Sequence, residues 1–276
     1  MTEFVSVDEA TVTRAIVEEY MKDFLELTEV DAVVVGMGPA GTIAAKELAE
    51  KGWKVLVIER NIKPGGGMLL GGMLMNKLVV ERPAEKFLID AGVKTLKEYR
   101  PGLFVCDAGE ASAKLIAQAF DAGAKMLNAV EVTDVIYKKD EVKGVVINWH
   151  MVRFYPDWVT CTDPLCVKAK VVIDCTGHAA EIARVAAKKN KGYDFLKTTE
   201  SSLWMDEAEK QVVENTSEII PGIIVAGMAV AGTYGTPRMG PIFGAMFMSG
   251  KKAADIAHQK LLAMSKKETA KQVAKY

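Results

Sequence analysis

Val33-Val34-Val35-Gly36-Met37-Gly38-Pro39-Ala40-Gly41 is the stretch whose reading decides the fold. A β-branched run breaks into three glycines spaced G-x-G-x-x-G, and a segment rich in alanine and leucine follows. The pattern predicts a strand, a tight turn and a helix start. Gly36 permits the sharp turn, Gly38 lets the backbone approach a pyrophosphate, and Gly41 lets helix and strand pack closely. The helix N-terminus adds unpaired N–H groups that favour an anion. Many glycine turns share this spacing, so context decides. A second strand, Lys54 to Ile58, ends in Glu59-Arg60. This sets an acid about 20 residues past the glycines, where a ribose hydroxyl would need an acceptor. The expectation is an α/β, Rossmann-like dinucleotide-binding fold: a mainly parallel sheet, flanking helices and a small antiparallel β layer.

Upstream, Val12, Ile16, Val17, Tyr20, Met21, Phe24 and Leu25 recur at helical spacing among charged residues, which predicts an amphipathic helix over 8–28. Its polar face is not basic, so its apolar face is expected to pack on the domain or on a neighbouring subunit rather than on a membrane. Downstream, Pro64-Gly65-Gly66-Gly67-Met68-Leu69-Leu70-Gly71-Gly72 reads as a loop that closes over a flat ligand, or else as a plain glycine-rich crossover. Helical spacing returns over 83–91 and 109–122. A hairpin with a charged turn, Lys138 to Glu141, falls within inserted antiparallel strands at about 128–155. A buried strand, Ala169 to Asp174, leads to Cys175-Thr176-Gly177-His178 at the carboxyl edge of the sheet. Then follow a helix over 204–215, a strand ending at Gly227, a loop over 232–240 and a last helix at about 242–264. With no composition shift that marks a linker, one domain over 1–276 is expected.

Composition removes several function classes. Of 276 residues half are hydrophobic, enough for a substantial core, and 35 lysines and arginines meet 36 aspartates and glutamates. That balance gives no long-range field for nucleic acid or an anionic membrane. No apolar run reaches the length of a membrane span and Met1-Thr2-Glu3 does not open a signal peptide, so a cytoplasmic protein is expected. The four cysteines, Cys106, Cys161, Cys166 and Cys175, form no C-x-x-C pair, so a cysteine with a special role acts through its thiol.

Chemistry has few candidates. Of the three histidines, His258 is expected at the surface and His150 in an ordinary hydrogen bond, while His178 faces the site as either a ligand or a helix-cap partner. Cys161 and Asp163 alternate along one loop; with His178 they offer ligands for a divalent metal, or Cys161 is simply a small buried hydrophobe. Arg238, in a glycine-rich loop, is either a bidentate carboxylate clamp or half of a structural ion pair.

Taken together, Gly36-Met37-Gly38-Pro39-Ala40-Gly41, Glu59-Arg60, Pro64-Gly65-Gly66-Gly67, Asp163-Pro164-Leu165, Thr176-Gly177-His178 and Arg238-Met239-Gly240-Pro241-Ile242-Phe243-Gly244 resemble the thiamine thiazole synthase family over about 31–250. The late Arg-Met-Gly run and the Asp-Pro and Gly-His pairs carry the specificity, since flavin and nicotinamide folds share the first glycine motif. The resemblance implies an enzyme that consumes NAD. Nicotinamide leaves, glycine condenses with the remaining ADP-ribose skeleton, sulfur enters, and cyclisation gives an adenylated carboxythiazole, with Fe(II) required. By position, Gly36, Gly38, Ala40, Gly41, Glu59, Arg60, Gly67 and Val130 would hold the dinucleotide. Asp163 and His178 would ligate iron, and Arg238 with Met228 would bind substrate, Arg238 by clamping the glycine carboxylate. A homo-octamer is implied, with some ligands drawn from a neighbouring subunit. Thr160-Cys161-Thr162-Asp163-Pro164 keeps a cysteine where fungal and plant members carry the sulfur donor and where archaeal sulfide-using members carry histidine. Cys161 is therefore a sacrificial donor or lines a site that takes free sulfide. Two other classes fit the first motif: an FAD- or NAD-dependent oxidoreductase of the two-dinucleotide type, and a nucleotide sensor without catalysis.

Overall fold

The computed structural model describes residues 4–156, 158–159, 162–190 and 199–273. The chain opens with helix α1 (Glu9–Leu27), then strand β1 (Glu29–Val35), helix α2 (Pro39–Glu50) and strand β2 (Val55–Glu59). A 3-10 turn (Gly66–Leu70) leads to β3 (Lys77–Glu81), α3 (Glu85–Asp90), β4 (Lys97–Arg100), β5 (Leu103–Asp107) and α4 (Ala108–Asp121). Next come β6 (Lys125–Asn128), the hairpin β7 (Val130–Lys138) and β8 (Glu141–Trp149), β9 (Leu165–Asp174) and α5 (Glu181–Lys189). The last part holds β10 (Ser201–Leu203), α6 (Met205–Glu214), β11 (Ser217–Ile220), β12 (Ile223–Val225), α7 (Met228–Tyr234), β13 (Pro237–Arg238) and α8 (Gly244–Val273).

The main sheet runs β11-β12-β9-β1-β2-β6, with β12, β9, β1, β2 and β6 parallel and β11 antiparallel at the edge. β1 is the hinge of the topology. The chain first winds outward through β2 to β6, then returns to the other side of β1 for β9 and β12. Parallel strands buried on both faces read as continuous apolar runs, and β1 does so because its alternate residues enter two different cores. Ala32 and Val34 pack with Ala44, Leu48, Ala253 and Leu261 of α2 and α8. Val33 and Val35 pack with Val135, Val142 and Val145 of the hairpin. Each such fully buried valine contributes about 1.5–3 kcal/mol.

The hairpin is hydrogen-bonded to the first half of β9, whose second half lies between β1 and β12. The expected antiparallel layer is thus an extension of the main sheet through β9. A second antiparallel sheet, β3-β5-β4, lies outside the expected layers. It closes a separate core with Met68, Leu115, Phe243 and Phe247. The last helix extends beyond the expected 264 to Val273, and the expected loop over 232–240 instead begins inside α7. α7 is buried nearly all round, so it lacks the amphipathic period that marks a helix. Along α1, Leu27 is buried and Phe24 packs on the core, whereas Val12, Ile16, Val17 and Tyr20 are exposed. The partner expected for that face is not among the described residues of this chain. Among the described residues, no helix is long and apolar enough to cross a membrane.

Candidate active site

A cavity of about 350 Å³ opens at the carboxyl ends of β1, β2, β9 and β12, beside the point where the strand order reverses and open α/β sheets bind ligands. The glycine turn forms its floor. Gly36 has φ +91°, and a Cβ there would stand 2.6 Å from the Cys175 carbonyl oxygen. A Cβ on Gly41 would stand 1.9 Å from the Gly36 carbonyl oxygen, so Gly41 does not line the cavity but sets the distance between α2 and β1. Gly38 caps α2 ahead of Pro39, and a Cβ on it would meet nothing within 4 Å. Its bare face opens on the cavity.

Glu59 braces the turn from below. One carboxylate oxygen accepts the Met37 N–H at 2.8 Å, and the other accepts the Asn61 backbone N–H and side-chain Nδ2, each at 2.8 Å. A carboxylate has about four acceptor positions, so Glu59, buried yet lining the cavity, keeps capacity for a ligand hydroxyl. Arg60 also lines the cavity and pairs with Glu181 at 2.6 Å. Gly67, Ala40, Val130 and Met228 join the lining, Val130 from the start of the hairpin and Met228 from the first turn of α7.

The turn after β9 is fixed by Asp174. One of its oxygens accepts from the Thr176 backbone N–H and hydroxyl, the other from the Ile182 and Ala183 N–H groups. Burial pushes its carboxyl above the usual range, against the pull of those hydrogen bonds. The turn presents His178, whose side chain is 54% exposed at the cavity. Nδ1 of His178 lies 2.7 Å from Glu200 Oε2, and the other Glu200 oxygen lies 3.6 Å from Nε of Arg238. β10 pairs with β13, Leu203 opposite Arg238, which brings these residues to one rim. The same rim holds Gly240, Pro241 and Phe243.

Nothing in the sequence singled out Glu200, because a lone acid in a polar stretch carries no periodic or motif signal. Gly232, read as loop, is a helical glycine of α7 whose Cβ would stand 2.6 Å from the His178 carbonyl oxygen. His258 is half-buried rather than at the surface; its Nδ1 accepts from Trp53 Nε1 at 2.8 Å. His150 meets Glu131 at 2.9 Å, the ordinary hydrogen bond expected of it.

Asp163 is exposed and does not line the cavity. Cys161 lies outside the described residues. Among the described residues, no group of three or more His, Cys, Asp or Glu side chains is arranged to hold a metal. Cys106 and Cys175 are buried, which pushes their thiols up, to about 12 for Cys106 and well above the ordinary value for Cys175. Neither offers a ready thiolate on that account.

Fold and cavity together define an α/β protein with a cavity at the switch point of a parallel sheet, the place where such sheets take small ligands. The model of the Thi4 family matches residues 13–243. The thiamine thiazole synthase of Archaeoglobus fulgidus is 46% identical over 260 residues, covering 94% of this chain and 98% of that protein. The thiamine thiazole synthase of Aeropyrum pernix is 42% identical over 259 residues, covering 94% of each. The crystal structure of Thermovibrio ammonificans THI4 matches with a TM-score of 0.88 at 37% identity, over 93% of this chain and 99% of that one. The chain belongs to the Thi4 family.

Proposed function

We propose that the protein is a thiamine thiazole synthase, converting NAD, glycine and a sulfur atom to an adenylated carboxythiazole with release of nicotinamide. The observation that carries this reading is that one cavity joins the glycine turn to His178 and Arg238 on the facing rim. The order of the five parallel strands, third-second-first-fourth-fifth in the chain, supports the NAD part of the reading, since the first five strands of dinucleotide-binding sheets run in that order. In this reading Gly36 and Gly38 with the α2 N-terminus take the pyrophosphate, and Glu59 takes a ribose hydroxyl. Ala40, Arg60, Gly67 and Val130 frame the nucleotide, while Gly41 acts through the spacing of helix and strand.

Arg238 clamps the carboxylate of glycine, with Met228 against the substrate. Fe(II), when bound, would supply a Lewis acid and a position for sulfur. His178 fits such an ion, since one ring nitrogen is engaged by Glu200 and the other is left for the cavity. Asp163 does not line the cavity of its own chain, so we assign it to the site of a second copy in a homo-oligomer, an octamer by family resemblance. The exposed α1 face and Asp163 give that assembly something to cover and something to supply.

Cys161, two residues before Asp163, is the proposed sulfur donor, because a thiol beside a metal ionises readily. The test is intact-mass analysis of the protein and its bound small molecules after anaerobic incubation with NAD, glycine and Fe(II), with and without sulfide. The expected result is an adenylated thiazole without added sulfide and a Cys161 that has lost the elements of hydrogen sulfide. Product only with sulfide, over an unmodified Cys161, removes the donor role and keeps the synthase. Intact NAD under every condition, or a yellow protein carrying flavin, would overturn the synthase in favour of a sensor or an oxidoreductase.

A further inference from the structure

Among the described residues, Glu200 is the one acid that touches both functional side chains of the rim. Its side chain is 18% exposed while those of His178 and Arg238 are 54% and 57% exposed, so a largely sheltered carboxylate holds two open groups. The contact with His178 is short, 2.7 Å, and an ionised carboxylate only accepts. With Glu200 as the acceptor, His178 carries its proton on Nδ1, and Nε2 is the lone-pair nitrogen of a neutral ring that lines the cavity.

We propose that Glu200 is a positioning residue: it fixes His178 as the Nδ1–H tautomer with Nε2 available to a divalent metal, and through its second oxygen it steadies the Arg238 guanidinium. The inference rests on the metal reading given above for His178. Partners of this kind on the far nitrogen of a ligating histidine set ring orientation and basicity, and their loss costs about 10–100-fold in metal affinity. One carboxylate thereby couples the group that would hold the metal to the group that would hold the substrate carboxylate. The backbone supports this placement: the Ser201 N–H donates to the Thr236 carbonyl at 3.0 Å and the Trp204 N–H to that of Arg238 at 3.2 Å.

The other two histidines supply internal controls. His150 faces Glu131 through Nδ1 and is expected in the Nδ1–H form. His258 accepts on Nδ1 from Trp53 and is expected in the Nε2–H form. The experiment is nitrogen NMR of histidine-labelled, metal-free full chain at alkaline pH, where imidazoles are neutral, alongside Co(II) titration as a redox-stable probe. In the wild type His178 is expected as Nδ1–H. Glu200→Ala should return it to a mixture of tautomers, with His150 and His258 unchanged, and should weaken Co(II) binding about tenfold or more.

Glu200→Gln keeps an oxygen that accepts and should lose less, about threefold, since a charge-assisted hydrogen bond becomes a neutral one. An unchanged His178 tautomer and unchanged Co(II) affinity in Glu200→Ala would overturn the proposal. If Glu200→Ala does not fold, Glu200→Gln decides, and wild-type Co(II) affinity in it would overturn the proposal as well. Equal Co(II) binding by the wild type and His178→Ala would instead defeat the metal reading, and the tautomer measurement would still judge Glu200.

Discussion

The two walls of the cavity are built by opposite means. On the wall formed by β1, β2 and β9, each buried carboxylate is held mainly by backbone donors: two backbone N–H groups and the Asn61 amide on Glu59, three backbone N–H groups and the Thr176 hydroxyl on Asp174. On the facing rim, formed by His178, the 238–243 segment and the start of α8, acids meet side chains. Glu200 holds two exposed cationic or polar groups, and outside the lining Glu81 of β3 and Glu209 of α6 meet as a carboxyl pair, an oxygen of each having no other partner among the described residues. The first wall is fixed by the main chain and the second by titratable groups. Substitutions on the first should act on folding, and those on the second on binding and pH response.

The sharpest break in that comparison lies inside the glycine turn itself. Gly41→Ala places a Cβ 1.9 Å from a backbone oxygen, which no side-chain movement relieves, so α2 must shift from β1. The expected cost is about 3 kcal/mol or more, read as a fall in the urea midpoint or loss of soluble protein. Gly38→Ala meets nothing within 4 Å and lies at φ −78°. It should keep the wild-type midpoint while weakening NAD binding measured by calorimetry, because the new methyl group fills the approach to the pyrophosphate. Equal stability loss in both variants would mean that the turn is one structural unit without a face reserved for a ligand.

A somewhat smaller effect is expected at Asp174. In Asp174→Asn the amide keeps one acceptor oxygen but turns its nitrogen toward other donors, either the Ile182 and Ala183 N–H groups or those of Thr176. Leaving buried donors unpaired costs about 2–3 kcal/mol. The turn carrying His178 should loosen with it, visible as faster amide hydrogen exchange over 176–183. Unchanged exchange there would show that α5 holds the turn without its carboxylate.

The contrast between the walls is also a contrast in what a linear sequence can reveal. Gly36, Gly38, Gly41 and Glu59 were legible because strand, turn and helix follow one another along the chain, each with a residue type dictated by local geometry. Asp163, Thr176-Gly177-His178 and Arg238-Met239-Gly240 offered only alternatives by themselves and took definite roles from family resemblance, since none of these short runs specifies chemistry alone. Glu200 was invisible: it meets His178 across 22 positions of chain and Arg238 through the β10 and β13 pairing. The buried helix α7 and the sheet β3-β5-β4 escaped for a related reason. A helix buried all round has no amphipathic period, and of the small sheet β4 is wholly exposed and β3 only alternately buried, so packing rather than sequence period defines it.

Glu209 gives the mildest test, and its sign is set by its surroundings. Burial, then the hydrogen bond and charge of Glu81, push its carboxyl up to about 9, with Asp206 adding repulsion. The Glu81 carboxylate lies against Gly244 at the start of α8, where a Cβ would come within 2.2 Å of its Oε1. The helix N-terminus favours negative charge there, and Glu209 is the member of the pair whose carboxyl is pushed up. In the unfolded chain this group ionises near the ordinary glutamate value of 4.5, and in the folded protein only near 9. Stability from this group is therefore complete below about pH 4.5 and declines as pH rises, levelling off above about 9. Glu209→Gln keeps a donor toward Glu81 and cannot ionise. It should raise the melting temperature by about 2 °C at pH 8, leave it unchanged near pH 4, and flatten the stability profile between. A variant equally shifted at both pH values would show that the gain came from packing, and that Glu81 and Glu209 do not share a proton.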